Sequence, residues 1–529
     1  MLNTPRCLNG MVTSPHHLAS QAGLQVLRDG GTAVEAAVAT AAALAVVYPH
    51  MTAIGGDGFW LIDVPGQSPV AIDACGAAAA GADLDLYRRH GADAIPWRGA
   101  LAANTVAGTV SGWREALALS SRWADPLPLA RVLRDAVGYA EDGMPVTASQ
   151  AQLTRAKLPE LAGVPGFADT YLIEGQVPAE GTVLKQPALA RTLRRLAADG
   201  LDSFYRGPLA KAIAADLGRA GSPVAAADLE RHRATAVQPL SVGVRGARLF
   251  NFPPPTQGVA SLMILALFDR LKVAQAEGFD HVHGLVEATK QAFLVRDREV
   301  GDPAFMSMPA QALLDDAALD DLAARIDRGR ALAWPQPPSA GDTVWLGVID
   351  GQGRAVSFIQ SVYFEFGSGL VLPETGIAWQ NRGASFRLAE DGWNALRPNR
   401  KPFHTLNPAL AHFDDGRRMV YGTMGGEGQP QTQAAVFTRY GMFGQGLQAA
   451  VTAPRWLLGR TWGEQSVSLK LESRFDPSLV AALRQAGHDV EMLEPFTSVM
   501  GHAGAIVRHD GGVLEGAADP RSDGAALGW

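Results

Sequence analysis

A proline-rich stretch that runs directly into a β-hairpin pattern constrains this chain more than any other feature. Residues 334–342 read WPQPPSAGD, and the prolines at 335, 337 and 338 exclude a helix there. Directly behind them, Val344–Asp350 alternates as a strand, GQG at 351–353 turns the chain, and Arg354–Ser361 returns. The sequence therefore predicts a loose leader that ends at the first residue of a hairpin strand.

Thr343 occupies that first position and has two interpretations. A β-branched threonine suits a strand, and most strand-initial threonines do nothing more. If the bond between Asp342 and Thr343 is cut, however, Thr343 gains an α-amine with an ordinary pKa of about 7.7–8.0, which can take the proton of its own hydroxyl. The strand would fix the hydroxyl, while the loose leader would let the upstream chain bend for an N-to-O acyl shift.

Elsewhere the pattern predicts a mixture of helices and strands. Thr32 and Glu35 form a capping box before an alanine-rich helix. A glycine turn precedes a short buried strand at Phe59–Ile62, and Leu285–Phe293 is an amphipathic helix. Residues 187–330 as a whole show helical periodicity, and the sequence has no repeat and no linker that would separate independent domains.

Composition excludes several classes of protein. A net charge of −7 and the lack of a dense Lys/Arg run argue against a nucleic-acid-binding protein. The two cysteines, Cys7 and Cys75, imply no disulfide framework and suit a reducing compartment. The most apolar stretch, Ala33–Tyr48, is shorter than the roughly 20 residues that a membrane span needs, and the first residues lack a secretory signal. We therefore expect a cytoplasmic protein without nucleic-acid or membrane partners.

Several sequence blocks together carry a resemblance to a known family. The run GDTVWLGVID at 341–350, followed by GRAVS at 353–357, is similar to the autoprocessing site of the γ-glutamyltransferase (γ-glutamyltranspeptidase) family. Further blocks match the family in order along nearly the whole chain: IGGDGF at 54–59, PPPTQG at 253–258, RDR at 296–298, GDP at 301–303, FGSG at 366–369, MGG at 424–426, APRW at 453–456 and ADPRSDG at 518–524. Their number and order identify the chain as a member.

The resemblance implies a fold and a catalytic centre. The fold would be α/β, a four-layer αββα sandwich of the N-terminal-nucleophile hydrolase type, in which residues 1–342 and 343–529 form a large and a small chain of one composite domain. Thr343 falls on the nucleophile, and Ser361 falls where the family has a threonine whose hydroxyl contacts it. Gly425 and Gly426 fall on the pair whose backbone N–H groups form the oxyanion hole. Catalysis would need neither a metal nor an organic cofactor.

The positions that recognise substrate depart from the family's usual pattern. The family holds a glutamyl α-carboxylate with an arginine and two serines, and the α-amine with acidic or amide groups. At the matching positions, which we take as candidate substrate-binding residues, this chain has Cys75, Tyr363, Asn381, Arg382, Ser385, His404 and Thr405.

Arg382 determines the predicted substrate. A guanidinium repels the ammonium that a γ-glutamyl substrate would place there, whereas its planar fork suits a carboxylate. We therefore expect the nucleophile to be kept and a small carboxylated amide such as oxamate to be hydrolysed, as in some members of the family. Two simpler interpretations remain open: Arg382 could pair with a carboxylate such as Glu427, and Cys75 could be a small buried filler.

Other functions also remain open. The substrate could be a γ-glutamyl compound or an amide with a bulkier carboxylated side chain, and a chain that never matures would be a scaffold protein. A metal enzyme is less favoured, because the adjacent side chains of His16 and His17 should diverge and His283 with Glu287 makes only an i,i+4 pair. No G-x-S-x-G elbow of a serine hydrolase occurs, and GGDG at 55–58 lacks the residues of a nucleotide-binding loop.

Overall fold

Two antiparallel sheets form the centre of this computed structural model, which describes residues 3–334, 342–459 and 466–529. The proline-rich residues 335–341 lie outside the described residues, so the loose leader stays a prediction. The helices are α1 (His17–Arg28), α2 (Ala33–Val47), α3 (Leu84–Arg89), α4 (Thr109–Ser120), α5 (Leu129–Val132), α6 (Arg134–Asp142), α7 (Ala148–Leu161), α8 (Phe167–Tyr171), α9 (Pro187–Asp199), α10 (Pro208–Ala220), α11 (Ala226–Arg231), α12 (Gly258–Arg270), α13 (Phe279–Glu299), α14 (Asp316–Ala323), α15 (Gln429–Phe437), α16 (Leu447–Thr452) and α17 (Pro477–Gln485). The strands are β1 (Arg6–Cys7), β2 (Gly10–Ser14), β3 (Asp57–Asp63), β4 (Val70–Ala74), β5 (Met144–Pro145), β6 (Val183–Leu184), β7 (Thr235–Val237), β8 (Leu240–Val244), β9 (Ala247–Asn251), β10 (Asp342–Asp350), β11 (Ala355–Tyr363), β12 (Ala409–Phe413), β13 (Arg418–Thr423), β14 (Trp456–Leu458), β15 (Leu469–Glu472), β16 (Val490–Leu493), β17 (Ala503–Arg508), β18 (Leu514–Ala518) and β19 (Ala525–Gly528).

The predicted hairpin lies in the middle of one sheet. That sheet has the strand order β19-β2-β10-β11-β3-β4-β7, and the other has the order β1-β18-β17-β13-β12-β9-β8. Strands β10 and β11 pair antiparallel, with Val348 opposite Val356 and Trp345 opposite Ile359. The hairpin prediction is therefore confirmed, and its strands are flanked on both sides by strands from the first 75 residues of the chain.

Alternating side chains of β10 separate two apolar layers, as the two-residue period of a strand requires. Trp345 and Ile349 enter the core between the two sheets. Leu346 and Val348 belong to the core that the helices on the outer face, α2 among them, form with this sheet. Helices α12 and α13 cover the other sheet. The order helices–sheet–sheet–helices confirms the predicted αββα sandwich.

Local predictions succeed where the sequence signal is strong. Thr32 Oγ1 accepts from the backbone N–H of Glu35 at 3.2 Å, and a carboxylate oxygen of Glu35 accepts from the backbone N–H of Thr32 at 2.7 Å, so the capping box before α2 is confirmed. The strand at Phe59–Ile62 lies within β3, and the helix at Leu285–Phe293 lies within α13. The prediction that this helix is amphipathic is wrong, because every residue from Leu285 to Phe293 is buried.

The helical prediction for residues 187–330 is wrong between 235 and 251, where β7, β8 and β9 form. The segment LSVGV-RG-ARLFN at 240–251 contains two short β-rich runs around a turn, with Gly246 at φ 77°, and this local signal outweighs the average over the region. Within the part of the chain that the structure describes, no helix is both long and apolar enough to cross a bilayer. The expected cellular location stays a prediction.

Candidate active site

Thr343 lies buried near the start of β10, where the pairing with β11 is irregular. Asp342 pairs with Tyr363 and Val344 with Gln360, so the register shifts at Thr343. Such a bulge re-aims a side chain beside a functional site. Thr343 itself is fully shielded from solvent. The sequence-predicted nucleophile therefore lies near the start of a central strand, where the pairing with β11 is locally irregular.

A buried amide fixes the hydrogen bonding of the Thr343 hydroxyl. Gln429, the first residue of α15, donates from Nε2 to Thr343 Oγ1 at 3.3 Å. Its Oε1 accepts from both the backbone N–H and Nδ2 of Asn407, each at 3.2 Å. Because a backbone N–H can only donate, Asn407 sets which end of the Gln429 amide faces Thr343. Thr343 Oγ1 is thus an acceptor from Gln429, and its own proton points elsewhere.

Ser361 lies on the neighbouring strand β11, opposite Asp57 of β3. The side chain is buried, and its Oγ accepts from the backbone N–H of Tyr363 at 2.8 Å. Asp342 pairs with Tyr363 across the two strands, so Ser361 and Thr343 share one end of the hairpin. A direct contact between the two hydroxyls stays a prediction.

Gly425 and Gly426 form the loop between β13 and α15. Their φ angles of 115° and 51° lie in the left-handed region that favours glycine. The carbonyl of Gly425 accepts from the N–H of Gly428 at 2.8 Å, and that of Gly426 accepts from Gln257 Nε2 at 2.8 Å. Neither N–H of the pair donates to an acceptor within residues 3–334, 342–459 and 466–529. The loop therefore presents two backbone donors while its carbonyls are held.

Arg296 supports this glycine loop through Gln257, which binds the Gly426 carbonyl. Its Nη1 donates to Gln257 Oε1 at 2.8 Å, its Nη2 lies 3.3 Å from Glu427, and its guanidinium stacks 3.8 Å from the ring centroid of Phe293. The interpretation that Glu427 pairs with Arg382 is wrong, because Glu427 binds Arg296 instead. Glu427 is therefore not the counter-ion of Arg382.

Arg382 begins a short 3₁₀ turn, Arg382–Ser385, and is 1% exposed. Its Nη1 donates to Thr405 Oγ1 at 3.4 Å, and its guanidinium lies 3.6 Å from the ring centroid of Tyr363. Among the described residues, Nε and Nη2 have no hydrogen-bond partner of acceptable geometry and no carboxylate within salt-bridge distance. Burial lowers the pKa of this guanidinium, but arginine stays charged at any physiological pH. Two buried donors of a cation are therefore available to an anion.

Asp57, His404 and Cys75 form a buried cluster beside Arg382. Oδ1 of Asp57 accepts from the backbone N–H groups of Gly76 and Gly108 at 2.9 and 3.1 Å, and His404 Nε2 lies 3.3 Å from Oδ2. The backbone N–H of residue 406 donates to His404 Nδ1 at 3.4 Å, which leaves the ring proton on Nε2, facing Asp57.

Burial dominates the titration of this cluster. It raises the pKa of Asp57 to about 7 against the opposing effect of the hydrogen bonds. It lowers the pKa of His404 well below its usual value, with the Arg382 charge acting in the same direction. Burial, followed by the Asp57 and Asp73 charges, raises the pKa of the Cys75 thiol well above its usual value. His404 is thus neutral and Cys75 is a protonated thiol, which agrees with a filler and not with a nucleophile.

The remaining candidate binding residues lie on the same loops with different surroundings. The Asn381 amide donates to the carbonyl of Trp97 at 2.9 Å and accepts from the N–H of Phe364 at 3.1 Å, so it ties two loops together. Half-buried Ser385 donates to the carbonyl of Phe403 at 3.4 Å. The structure therefore brings Cys75, Tyr363, Arg382, His404 and Thr405 into one cluster, whereas the side chains of Asn381 and Ser385 bond to backbone groups.

Two groups of side chains have the composition of a metal site. The ligand atoms of Asp57, Cys75 and His404 lie within 4.8 Å of one another, as do those of His283, Glu287 and His488. The second group extends the predicted i,i+4 pair, but the Lys290 ammonium already binds the Glu287 carboxylate at 2.7 Å.

The prediction that the His16 and His17 rings diverge is wrong, because the two rings stack with centroids 4.7 Å apart.

Several site residues have no counterpart among the sequence predictions, namely Asp57, Arg296, Asn407 and Gln429. One signal was present for Gln429: glutamines at 429, 431 and 433 open a helix whose next residues are apolar, and all three are buried. Buried amides need partners, so such a run indicates a polar network. The other three residues, Asp57, Arg296 and Asn407, contact residues that are far away along the chain.

Comparison with known proteins gives a consistent result. Residues 19–529 match the family described as gamma-glutamyltranspeptidase. The chain is 58% identical over 524 residues to the oxamate amidohydrolase proenzyme of Klebsiella pneumoniae, with 98% of each chain covered. It is 42% identical over 521 residues to the glutathione hydrolase-like YwrD proenzyme of Bacillus subtilis, again with 98% of each covered. The crystal structure of cephalosporin acylase from Bacillus halodurans has a TM-score of 0.92 and 34% identity, covering 100% of this chain and 97% of that chain.

Proposed function

The chain belongs to the γ-glutamyltranspeptidase family and is a hydrolase, and on that premise we propose that it is a self-cleaving amidohydrolase whose nucleophile is Thr343. Asp342 and Thr343 are consecutive residues of β10, and before cleavage the nitrogen of Thr343 belongs to the peptide bond between them. Attack of Thr343 Oγ1 on the Asp342 carbonyl carbon transfers the upstream chain to the oxygen. Water then hydrolyses that ester and leaves Thr343 with a free α-amine.

The freed amine and hydroxyl then act together on substrate. The amine takes the hydroxyl proton, Oγ1 attacks the amide carbon, and the N–H groups of Gly425 and Gly426 stabilise the oxyanion. The protonated amine passes its proton to the leaving nitrogen, which departs as ammonia from a primary amide. Water, deprotonated by the same amine, hydrolyses the acyl-enzyme. The hydrogen bond from Gln429 supports this scheme, because it positions Thr343 Oγ1 by donating to the oxygen.

The two products of cleavage stay associated in this proposal because both sheets mix their strands. Strand β10 of the small chain pairs with β2 of the large chain, and β11 pairs with β3. In the other sheet, β12 pairs with β9 and β1 pairs with β18. Separating residues 1–342 from 343–529 would break main-chain hydrogen bonds in both sheets at once. The pair therefore behaves as one composite domain.

We propose a small carboxylated amide such as oxamate as the substrate, and the buried Arg382 guanidinium is the observation that supports it. A cation that is 1% exposed, with two donors lacking partners among the described residues, is costly unless an anion completes it. Oxamate carries its carboxylate directly on the carbon that Thr343 would attack. The relative from Klebsiella pneumoniae, named for this substrate, supports the same choice.

The test compares ammonia release from oxamate with that from oxamide, in which a neutral amide replaces the carboxylate. We expect oxamate to exceed oxamide in kcat/KM by about 100-fold or more, because a charged hydrogen-bonded pair in a buried site contributes about 3 kcal/mol or more. A γ-glutamyl anilide and a glutaryl amide complete the set. Turnover of either of these without turnover of oxamate would favour a γ-glutamyl hydrolase or an acylase and would overturn the proposed substrate.

A further inference from the structure

Three aromatic rings run in a row from the Arg382 guanidinium towards solvent. The Tyr363 ring covers the guanidinium at 3.6 Å, the Phe364 ring centroid lies 4.4 Å from that of Tyr363, and the Trp97 centroid lies 4.5 Å from that of Phe364 at 84°. Tyr363 and Phe364 are buried, whereas Trp97 is 48% exposed. The row therefore connects the buried cation with the protein surface.

The row does not belong to the main apolar cores. Tyr363 and Phe364 form a small buried cluster of their own, with Ala384 packed against it. An edge-to-face pair such as Phe364 with Trp97 contributes about 0.5–1.5 kcal/mol beyond its burial. The row therefore adds a small apolar cluster that is separate from the cores of the two sheets.

Hydrogen bonds fix the outer ring of the row to the inner ones. Asn381, next to Arg382, binds the carbonyl of Trp97 with one end of its amide and the N–H of Phe364 with the other. Arg98 donates to the carbonyls of Glu365 and Gly367 at 2.7 and 2.6 Å. The carbonyl of Trp97, through Asn381, and the side chain of the next residue, Arg98, are thus both tied to the segment that carries Phe364.

The backbone under the row is strained. Tyr363 and Phe366 have φ angles of 85° and 61°, in the left-handed region that non-glycine residues rarely adopt. Each such residue costs of order 1–3 kcal/mol and is kept where the surrounding structure needs that direction of the chain. Here the positive φ of Tyr363 places its ring over Arg382, while its N–H binds Ser361 Oγ.

We propose that these three rings form a rigid wall beside the Arg382 carboxylate subsite, and that Trp97 limits the length of the acyl group that the enzyme accepts. This inference rests on the proposed function, in which Arg382 holds the substrate carboxylate and Thr343 attacks its amide carbon. Both ends of the substrate are then fixed by buried groups. A longer acyl chain between them must bend sideways, and a wall held by Asn381 and Arg98 cannot move to make room.

The test measures kcat/KM for a series of ω-carboxylated primary amides of increasing length: oxamate, malonamate, succinamate and glutaramate. For the wild-type protein we expect kcat/KM to fall steeply from oxamate to glutaramate. Trp97→Ala should raise the ratio of glutaramate to oxamate turnover at least about 10-fold, because an open side of the pocket removes the steric penalty on the longer chain. Trp97→Phe should give an intermediate ratio. Phe496→Ala, a similarly exposed aromatic residue outside the row, should leave the ratio unchanged.

Self-cleavage and the thermal midpoint of each variant are measured alongside the kinetics. A Trp97→Ala protein that is cleaved and stable but keeps the wild-type ratio overturns the inference. If that variant does not fold, the ratio of Trp97→Phe decides in the same way. Failure of the wild-type protein to hydrolyse any member of the series is a different result, because it overturns the proposed substrate and not the role of Trp97 alone.

Discussion

The surroundings of Thr343 and those of Arg382 are built from different chemistry. The Thr343 hydroxyl accepts from the neutral Gln429 amide, which Asn407 orients in turn. Around Arg382 the groups are ionisable, with Asp57, His404 and Cys75 in one buried cluster. Neutral donors stabilise charge that develops during any acyl transfer, whereas fixed charges select among substrates. The difference teaches that reaction and recognition can change separately in this fold.

The largest expected effect tests the surroundings of Thr343. Thr343→Ala removes both the hydroxyl that cuts the chain and the hydroxyl that attacks substrate, so we expect no self-cleavage and a loss of activity of at least about 10⁴-fold. A denaturing gel checks the first and ammonia release the second, with fragments of 342 and 187 residues expected for the wild type but not for Thr343→Ala.

Thr343→Ser is the matched control, since it keeps a hydroxyl and should still be cut. If Thr343→Ala produces the same two fragments, another residue or a protease makes the cut, and the proposed mechanism is wrong.

The next largest effect tests whether the surroundings of Arg382 act independently of those of Thr343. Arg382→Met keeps the length of the side chain but removes the charge, and we expect kcat/KM for oxamate to fall about 10²–10⁴-fold, the equivalent of about 3–5 kcal/mol for a broken buried ion pair. Self-cleavage should proceed at the wild-type rate, because it involves no substrate carboxylate. An Arg382→Met chain that stays uncut would show that the two regions are not independent.

A smaller effect tests how the Thr343 hydroxyl is positioned. Gln429→Met removes the donor to Thr343 Oγ1 at nearly constant volume, and a neutral hydrogen bond contributes about 0.5–1.5 kcal/mol. We expect kcat to fall about 3–10-fold and self-cleavage to slow, with little change in the preference for oxamate over oxamide. Gln445→Met, the same change at an exposed amide, is the control. A changed preference with unchanged kcat would place Gln429 in recognition instead.

A separate effect concerns how the stability of the region around Arg382 depends on pH. Burial raises the pKa of Asp57 to about 7, so the folded chain holds a proton that an unfolded aspartate, with a pKa of about 3.9, loses. The contribution of Asp57 to stability is therefore fully present below about pH 4 and is lost as the pH rises through about 7. As the pH is raised from 5 to 8, the thermal midpoint of the wild type should decrease relative to that of Asp57→Asn. If the two proteins give parallel curves of thermal midpoint against pH, the raised pKa of Asp57 is contradicted.

Local sequence signals predicted much of the fold, and contacts between distant residues account for most of what they missed. The capping box at Thr32 and the hairpin at 344–361 depend on neighbours along the chain, and both are confirmed. The partner of Glu427 is Arg296, 131 residues away, and no local pattern distinguishes it from Arg382. Family blocks supplied the candidates Gly425 and Gly426, but the polar network that holds them appears only in three dimensions.

Both sheets contain strands from before and from after the proposed cleavage site. This has a consequence for cells that make two different copies of the protein. In the proposed maturation both fragments of a molecule come from one polypeptide, because chains that share two sheets do not exchange between folded molecules. A cell that makes both a normal copy and a Thr343→Ala copy should therefore contain two pure populations and no hybrids. When differently tagged copies are co-expressed and separated into single folded molecules, none should combine the large fragment of one copy with the small fragment of the other.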